Sequence, residues 1–264
     1  MRKIIFQGLV LVASFFGVFW GLKQIDWVSL FRADQWSAEL EKKLGDLFWK
    51  AYSLDNDEIT NKEAVSTFTR WVDELCSANG LDPEDFKLHL LKNEEVNAFA
   101  LPDGHLVIYS GLIQHATKPE AFLGVVCHEM AHIQLAHVRQ KLIKEVGLSV
   151  LISMATGNGQ PQAVQAALKV LSSTAFDRNL ERDADKKAVE YLLAAGYNPA
   201  PFADFMESLA GETSEWDQYF NWVSTHPSSD ERADDIRKQA AEQSESAPKT
   251  ISPEEWQRFQ EQVR

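Results

Sequence analysis

The chain has 264 residues, 45% of them hydrophobic, which suffices for one substantial buried core and makes one catalytic domain with appendages the economical organisation. A formal net charge of −13 and a pI near 5.0, without clustered Lys and Arg, argue against nucleic acid or an anionic lipid surface as a partner. Cys76 and Cys127 supply neither a disulfide framework nor a C-x-x-C pair; they read as buried apolar fillers, with a single bridge between them as the alternative.

Met1-Arg2-Lys3 precedes residues 4–22, nineteen positions without a charge. As a helix this run spans roughly 28 Å, nearly the hydrocarbon thickness of a bilayer. It continues past the small residues Ala13 and Ser14, which favours an uncleaved membrane anchor over its rival, a cleaved signal peptide. Arg2 and Lys3 then stay cytoplasmic by the positive-inside rule, and the catalytic domain faces the non-cytoplasmic side, the periplasmic side of the inner membrane if the source is bacterial. The expected division is an anchor over 1–23, a catalytic domain over 24–240, and a polar linker with a short helix over 241–264.

Trp36, Leu40, Leu44, Leu47, Phe48 and Ala51 form one stripe at helical spacing, broken by the polar stretch 53–58. Thr60-Asn61-Lys62-Glu63 has capping-box spacing and opens a second helix carrying Val65, Phe68, Val72, Leu75 and Cys76, closed at Gly80. Residues 86–90 and the run through Leu106 and Ile108 alternate at period two, with Pro102-Asp103-Gly104 as a turn, so a small sheet is expected. His89 and His105 are single histidines on strand-like segments and receive no role.

Thr117-Lys118-Pro119-Glu120 starts a helix expected over about 119–141 that contains His128-Glu129-Met130-Ala131-His132, an H-E-x-x-H run among apolar neighbours. Positions four apart share a helix face, so His128 and His132 can aim imidazole nitrogens at one point about 2 Å away, the distance zinc prefers. Glu129 projects beside that point, as a general base acting on an activated water must. A third ligand is needed. Glu181 and Asp185 are again four apart on a helix ended by Gly196; Glu181 can complete a His2Glu set for one Zn2+ per chain, and Asp185 can hydrogen-bond the free nitrogen of a ligating imidazole. His137, five positions beyond His132, falls about 140° off the ligand face of a continuous helix and reads as structural.

Residues 142–176 read as two helices joined at Gly157-Asn158-Gly159-Gln160-Pro161, either core or a surface leaning on membrane or a partner; neither limb has a full apolar span. Another helix begins at Asn198-Pro199, and Trp216, Tyr219, Phe220 and Trp222 precede a Thr225-His226-Pro227 loop. Ser228-Ser229-Asp230-Glu231 caps the next helix. Ser252-Pro253-Glu254-Glu255 opens a terminal one, with Trp256 and Phe259 on one side, which either docks or wanders. The fold class is α+β, predominantly helical with a small β-sheet.

The ordered set His128-Glu129-Met130-Ala131-His132, Glu181-Arg182-Asp183-Ala184-Asp185, and residues 224–232 from Ser224 through His226-Pro227 to Arg232 resembles the three signatures of gluzincin peptidases of the HtpX and CAAX-prenyl types. Asn97-Ala98-Phe99-Ala100-Leu101-Pro102-Asp103-Gly104 resembles that family's N-A-F-x-x-P-G-G stretch, with Asp103 in place of the usual glycine. The resemblance implies a zincin-like metalloprotease domain that hydrolyses peptide bonds in protein or peptide substrates, in membrane or envelope protein quality control. It implies that Asn97, Ala98, Phe99 and Ala100 form an edge strand that pairs with extended substrate. It also brings His226 to the cleft, either as a hydrogen-bond donor to the tetrahedral oxyanion or as a fourth, gating ligand. The rival class is a non-catalytic binding or chaperone-like module on the same scaffold, against which an intact Glu129 weighs.

Overall fold

The computed structural model describes residues 14, 36–211, 222, 225, 226, 230–243 and 248–264. Apart from residue 14, the expected span over 4–22 lies outside these, as do Trp216, Tyr219, Phe220, Pro227 and the Ser228 cap. Among the described residues no helix is long and apolar enough to cross a membrane. The chain divides into two units, Met1–Ser37 and Ala38–Arg264, and every element below belongs to the second.

Its core is built around α4, Pro119–Gln134, in which every residue from Pro119 to His132 is buried. A proline at the first helical position, whose missing N–H would be unpaired there anyway, starts it. Lys118 occupies the N-cap without a side-chain bond, so Thr117 is not the cap its spacing suggests. Gly124 permits close packing on this helix: a Cβ there would lie 2.3 Å from the Cβ of Phe202 on α9, Ala200–Gly211. On the other side α8, Arg178–Ala194, lies along α4 and lends its buried face, Glu181, Ala184, Asp185, Ala188 and Leu192.

The sheet is small and mixed. β1, Lys87–Leu91, pairs parallel with β3, His105–Tyr109, and β2, Ala98–Ala100, pairs antiparallel with β3, giving the order β1-β3-β2 with β2 on an edge. Asp103 and Gly104 both have positive φ, 61° and 73°, in the β2–β3 turn. Aspartate is among the few non-glycine residues that tolerate this region, so Asp103 keeps the turn that glycine would make.

α1, Ala38–Ser53, buries Leu40, Leu44 and Phe48, much as its stripe predicts. α2, Lys62–Asn79, is capped by Asn61, whose side chain accepts from the N–H of Glu63 and Ala64, rather than by Thr60. It ends at Gly80 with φ 63°. A short α3, Ser110–His115, leads from β3 toward α4.

The expected single helix over 119–141 is two: Ala136 is left-handed, φ 56°, and α5, His137–Glu145, sets off in a new direction. α6, Leu148–Ala155, and α7, Pro161–Ser173, follow as the expected pair; both pack on α1, and Leu151, Met154, Val164 and Leu168 are buried. α10, Asp230–Gln243, packs on α8 and α9. The terminal helix α11, Pro253–Gln262, is capped by Ser252 and docks: Trp256 and Phe259 are buried against Trp71 and Phe122. Burying each ring contributes about 2 kcal/mol. Cys76 and Cys127 are both free thiols and buried, and burial pushes the Cys76 thiol up to about 12.

Candidate metal centre

Helix α4 presents His128 and His132 on one face, as the four-residue spacing requires, with their Nε2 atoms 3.0 Å apart. Glu181 arrives from α8 with Oε1 3.5 Å from His132 Nε2 and Oε2 3.6 Å from His128 Nε2. His226 comes from the segment between α9 and α10, its Nδ1 3.2 Å from His128 Nε2 and 2.9 Å from Glu181 Oε1. All four side chains are essentially inaccessible to solvent. These residues form a group that can hold a metal ion.

Donor spacing tests the fit. A tetrahedral ion with bonds of about 2.0 Å needs donors about 3.3 Å apart, and the separations above, 2.9 to 3.6 Å, bracket that value. Charge points the same way. Three carboxylates, Glu129, Glu181 and Asp185, are buried around the donor nitrogens, and a cation held there would take the lone pairs and offset part of that negative charge. His132 is driven down to about 3, chiefly by burial, and its neutral ring keeps the lone pair a ligand needs.

Glu129 stands beside the donors and is not one of them. Its Oε1 accepts from Trp222 Nε1 at 3.0 Å and lies 3.2 Å from His226 Nε2, while its buried Oε2 meets no partner among the described residues. Burial pushes this carboxyl up, but His226, His132 and His128 more than reverse that and hold it at about 2. Burial likewise pushes His226 down, and the facing carboxylates of Glu181 and Glu129 raise it to about 9.

A supporting layer fixes these groups. Asp185 Oδ1 lies 2.9 Å from His128 Nδ1, as a carboxylate orienting a ligating imidazole does. Arg232, on α10, donates from Nε to Asp185 Oδ2 at 2.6 Å and from Nη2 to Oδ1 at 2.7 Å, and its Nη1 is 2.8 Å from Glu181 Oε2. Asp185 is lowered because Arg232 and His128 outweigh the upward push of burial. On the far side, Phe176 stacks on His132 at 4.1 Å and on His226 at 5.4 Å. The break at Ala136 brings His137 back toward the site, with Nδ1 3.0 Å from His132 Nδ1.

The profile of peptidase family M48 matches residues 64–240, which hold all of these side chains. The chain belongs to peptidase family M48. Metalloprotease LoiP of Escherichia coli (strain K12) is 30% identical over 184 residues, 67% of this chain and 71% of LoiP. The beta-barrel assembly-enhancing protease of the same organism is 28% identical over 220 residues, 76% of this chain and 44% of that protein. Mitochondrial metalloendopeptidase OMA1 of Arabidopsis thaliana is 30% identical over 145 residues, 54% of this chain and 30% of OMA1. The chain spans from about a third to under half the length of the beta-barrel assembly-enhancing proteases it matches. The HtpX-type resemblance, and the metalloprotease class drawn from it, agree with membership of M48.

Within this M48 fold, the site residues expected from sequence fall into two places. His128, Glu129, His132, Glu181, Asp185 and His226 meet in one buried cluster. Ala98, Phe99 and Ala100 form β2 on the sheet edge with Asn97 just before it, but all four are buried and β2 packs against α4 and α7, so the edge expected to receive substrate is covered here. Sequence reasoning assigned no role to Trp222, Phe176 or Arg232, although Arg232 closes the third signature. For Arg232 a signal existed: it shares the i, i+4, i+8 stripe of α10 with the buried Ile236 and Ala240, and a charge on a buried stripe requires a partner. Trp222 and Phe176 lie on connecting segments and carry no such periodicity.

Proposed function

We propose that this M48 chain is a zinc endopeptidase in which His128, His132 and Glu181 hold the metal and Glu129 is the general base. The observation that carries the reading is the convergence of the donors at tetrahedral spacing, with an uncoordinated, buried Glu129 beside them. When bound, zinc supplies Lewis-acid polarisation of the scissile carbonyl and acidifies water at neutral pH. Glu129 Oε2 takes the proton of the attacking water and then delivers it to the leaving amine. Trp222, bonded to Oε1, keeps Oε2 turned to that task. Asp185 and Arg232 hold His128 and Glu181 in their ligating orientations, the former from His128 Nδ1.

The substrate class is an extended polypeptide adding to the edge of β2 once that edge is uncovered, with Asn97 to Ala100 supplying main-chain bonds. Residues 24–240 form the peptidase domain, 1–23 anchor it to a membrane on the non-cytoplasmic side, and 241–264 are the tail. A role in membrane or envelope protein quality control is in keeping with the name of the beta-barrel assembly-enhancing protease.

Incubation with 1,10-phenanthroline should abolish casein hydrolysis, and stoichiometric Zn2+ should restore it. Metal analysis of the purified protein should return one tightly held zinc, removed by the chelator in parallel with activity. Hydrolysis that persists after complete metal removal refutes the assignment.

His226 acts as a gate in this reading. Its Nδ1 sits among the donor atoms, and a group pointed at an oxyanion would stand off from them. The segment carrying it is also tied to the approach to β2, since the N–H of Trp222 donates to the Val96 carbonyl at 3.1 Å. His226→Ala should therefore leave casein turnover unchanged or raise it, and should strengthen inhibition by a hydroxamate. A fall in kcat of about 10-fold to 1,000-fold would assign the oxyanion role instead.

A further inference from the structure

A second cluster of metal-binding groups lies on residues that the peptidase chemistry does not use. We propose that Asp46, Asp103 and His105 form a separate, lower-affinity zinc site that clamps α1 to the turn before β3. One carboxylate oxygen from each aspartate and one ring nitrogen of His105 lie within 4.8 Å of one another.

The tautomer of His105 is fixed from outside. Glu58 Oε1 lies 3.0 Å from His89 Nδ1, and His89 Nε2 lies 2.9 Å from His105 Nδ1. An ionised carboxylate only accepts, so His89 Nδ1 carries a proton and its Nε2 a lone pair. That lone pair takes the N–H of His105 Nδ1, which leaves the lone pair of His105 on Nε2. Trp49 locks the arrangement by stacking on His89 at 3.5 Å. A carboxylate working through a ring nitrogen is how ligating imidazoles are oriented and made more basic.

His105 is only 3% exposed, and its Nε2 is buried without a hydrogen-bond partner among the described residues. A buried acceptor left unpaired is unfavourable, and a cation is one partner that a lone pair can take. The sequence offered no hint of this, because His89 and His105 each look solitary until β1 and β3 pair, which sets His105 opposite Lys87 and within reach of His89 on the diagonal.

The aspartates are brought in by close packing. A Cβ on Gly45 would meet Pro102 O and Asp103 Cβ at 2.6 Å each, so glycine lets α1 touch the turn and puts the adjacent Asp46 beside Asp103. Lys87 pairs with Asp103 through Oδ2, leaving Oδ1 for a ligand. One imidazole and two carboxylates suit zinc and leave a fourth position for water. Competition from Lys87, together with the exposure of Asp46, makes the site weaker than the buried centre.

The test is titration of the full chain with ZnCl2 against a competing chelator, with the thermal midpoint read in parallel. Wild type should bind two equivalents, and the weaker should raise the midpoint further. Asp46→Asn is a surface change, and Asp103→Asn keeps a residue that tolerates positive φ, so both should fold. Each should weaken the second equivalent at least ~10-fold and leave the first unchanged, as should His105→Gln. His128→Ala should do the reverse, so the result is independent of whether the buried centre takes zinc. If no equivalent bound by wild type is weakened by Asp46→Asn and His105→Gln, whether one is bound or two, the site is overturned.

Discussion

Glu129→Gln should keep its zinc and lose at least ~100-fold in kcat on casein. The two halves of this result come from different atoms. Metal retention is expected because Glu129 lies outside the donor group of His128, His132, Glu181 and His226. Glutamine is also close to isosteric, and its amide oxygen can still accept from Trp222 Nε1, as Oε1 does at 3.0 Å, so the side chain should not swing away. Activity is lost because Oε2, buried without a partner among the described residues, becomes an amide nitrogen with no basic lone pair. A general base contributes about 10^2 to 10^4 in rate, which sets the scale. Metal analysis and casein hydrolysis on the same preparation decide the matter. Zinc lost along with activity would make Glu129 a structural support of the centre, and activity above a tenth of wild type would remove it from the proton path.

What could be read from sequence depended on how local the determinant was. The ligand pairs His128/His132 and Glu181/Asp185 were legible because each sits on one helix face, and helical spacing alone aligns them. Gly80 and Ser252 were legible as helix ends for the same reason, since the residues that stop or start a helix adjoin it. The break at Ala136 was not. Alanine is the best helix former, and holding it left-handed costs roughly 1–2 kcal/mol, which only distant packing can offset. That packing buries Val138 and Leu142 and sets His137 against His132. Trp222 and Arg232 belong to the same class: what they do is fixed by Glu129, Glu181 and Asp185, between 47 and 93 residues away in the chain. Pattern at short range therefore found the groups that hold a metal, and folding at long range supplied the groups that hold the ligands.

The largest stability effect is expected at Arg232. Arg232→Met should destabilise the protein by ~3–5 kcal/mol, because it leaves Asp185 and part of Glu181 buried without the guanidinium that now pairs with them. Methionine fills much of the same space, so the loss is of charge pairing more than of packing. Zinc affinity should fall as well, by about 10- to 100-fold, since Asp185 orients His128 and Arg232 orients both Asp185 and Glu181. Arg232→Lys should recover little of either, because one ammonium cannot reproduce the fork that reaches Asp185 through Nε and Nη2 and Glu181 through Nη1. Denaturant unfolding in the presence of chelator isolates the first effect, and zinc competition at low denaturant isolates the second. Combining Arg232→Met with Asp185→Asn separates this account from general disruption of α10. If the cost is an unpaired buried carboxylate, neutralising Asp185 removes part of it, and the double variant should be more stable than the sum of the two single losses predicts. Strict additivity of the two would mean that Arg232 stabilises α10 by packing alone, and that Asp185 holds His128 without it.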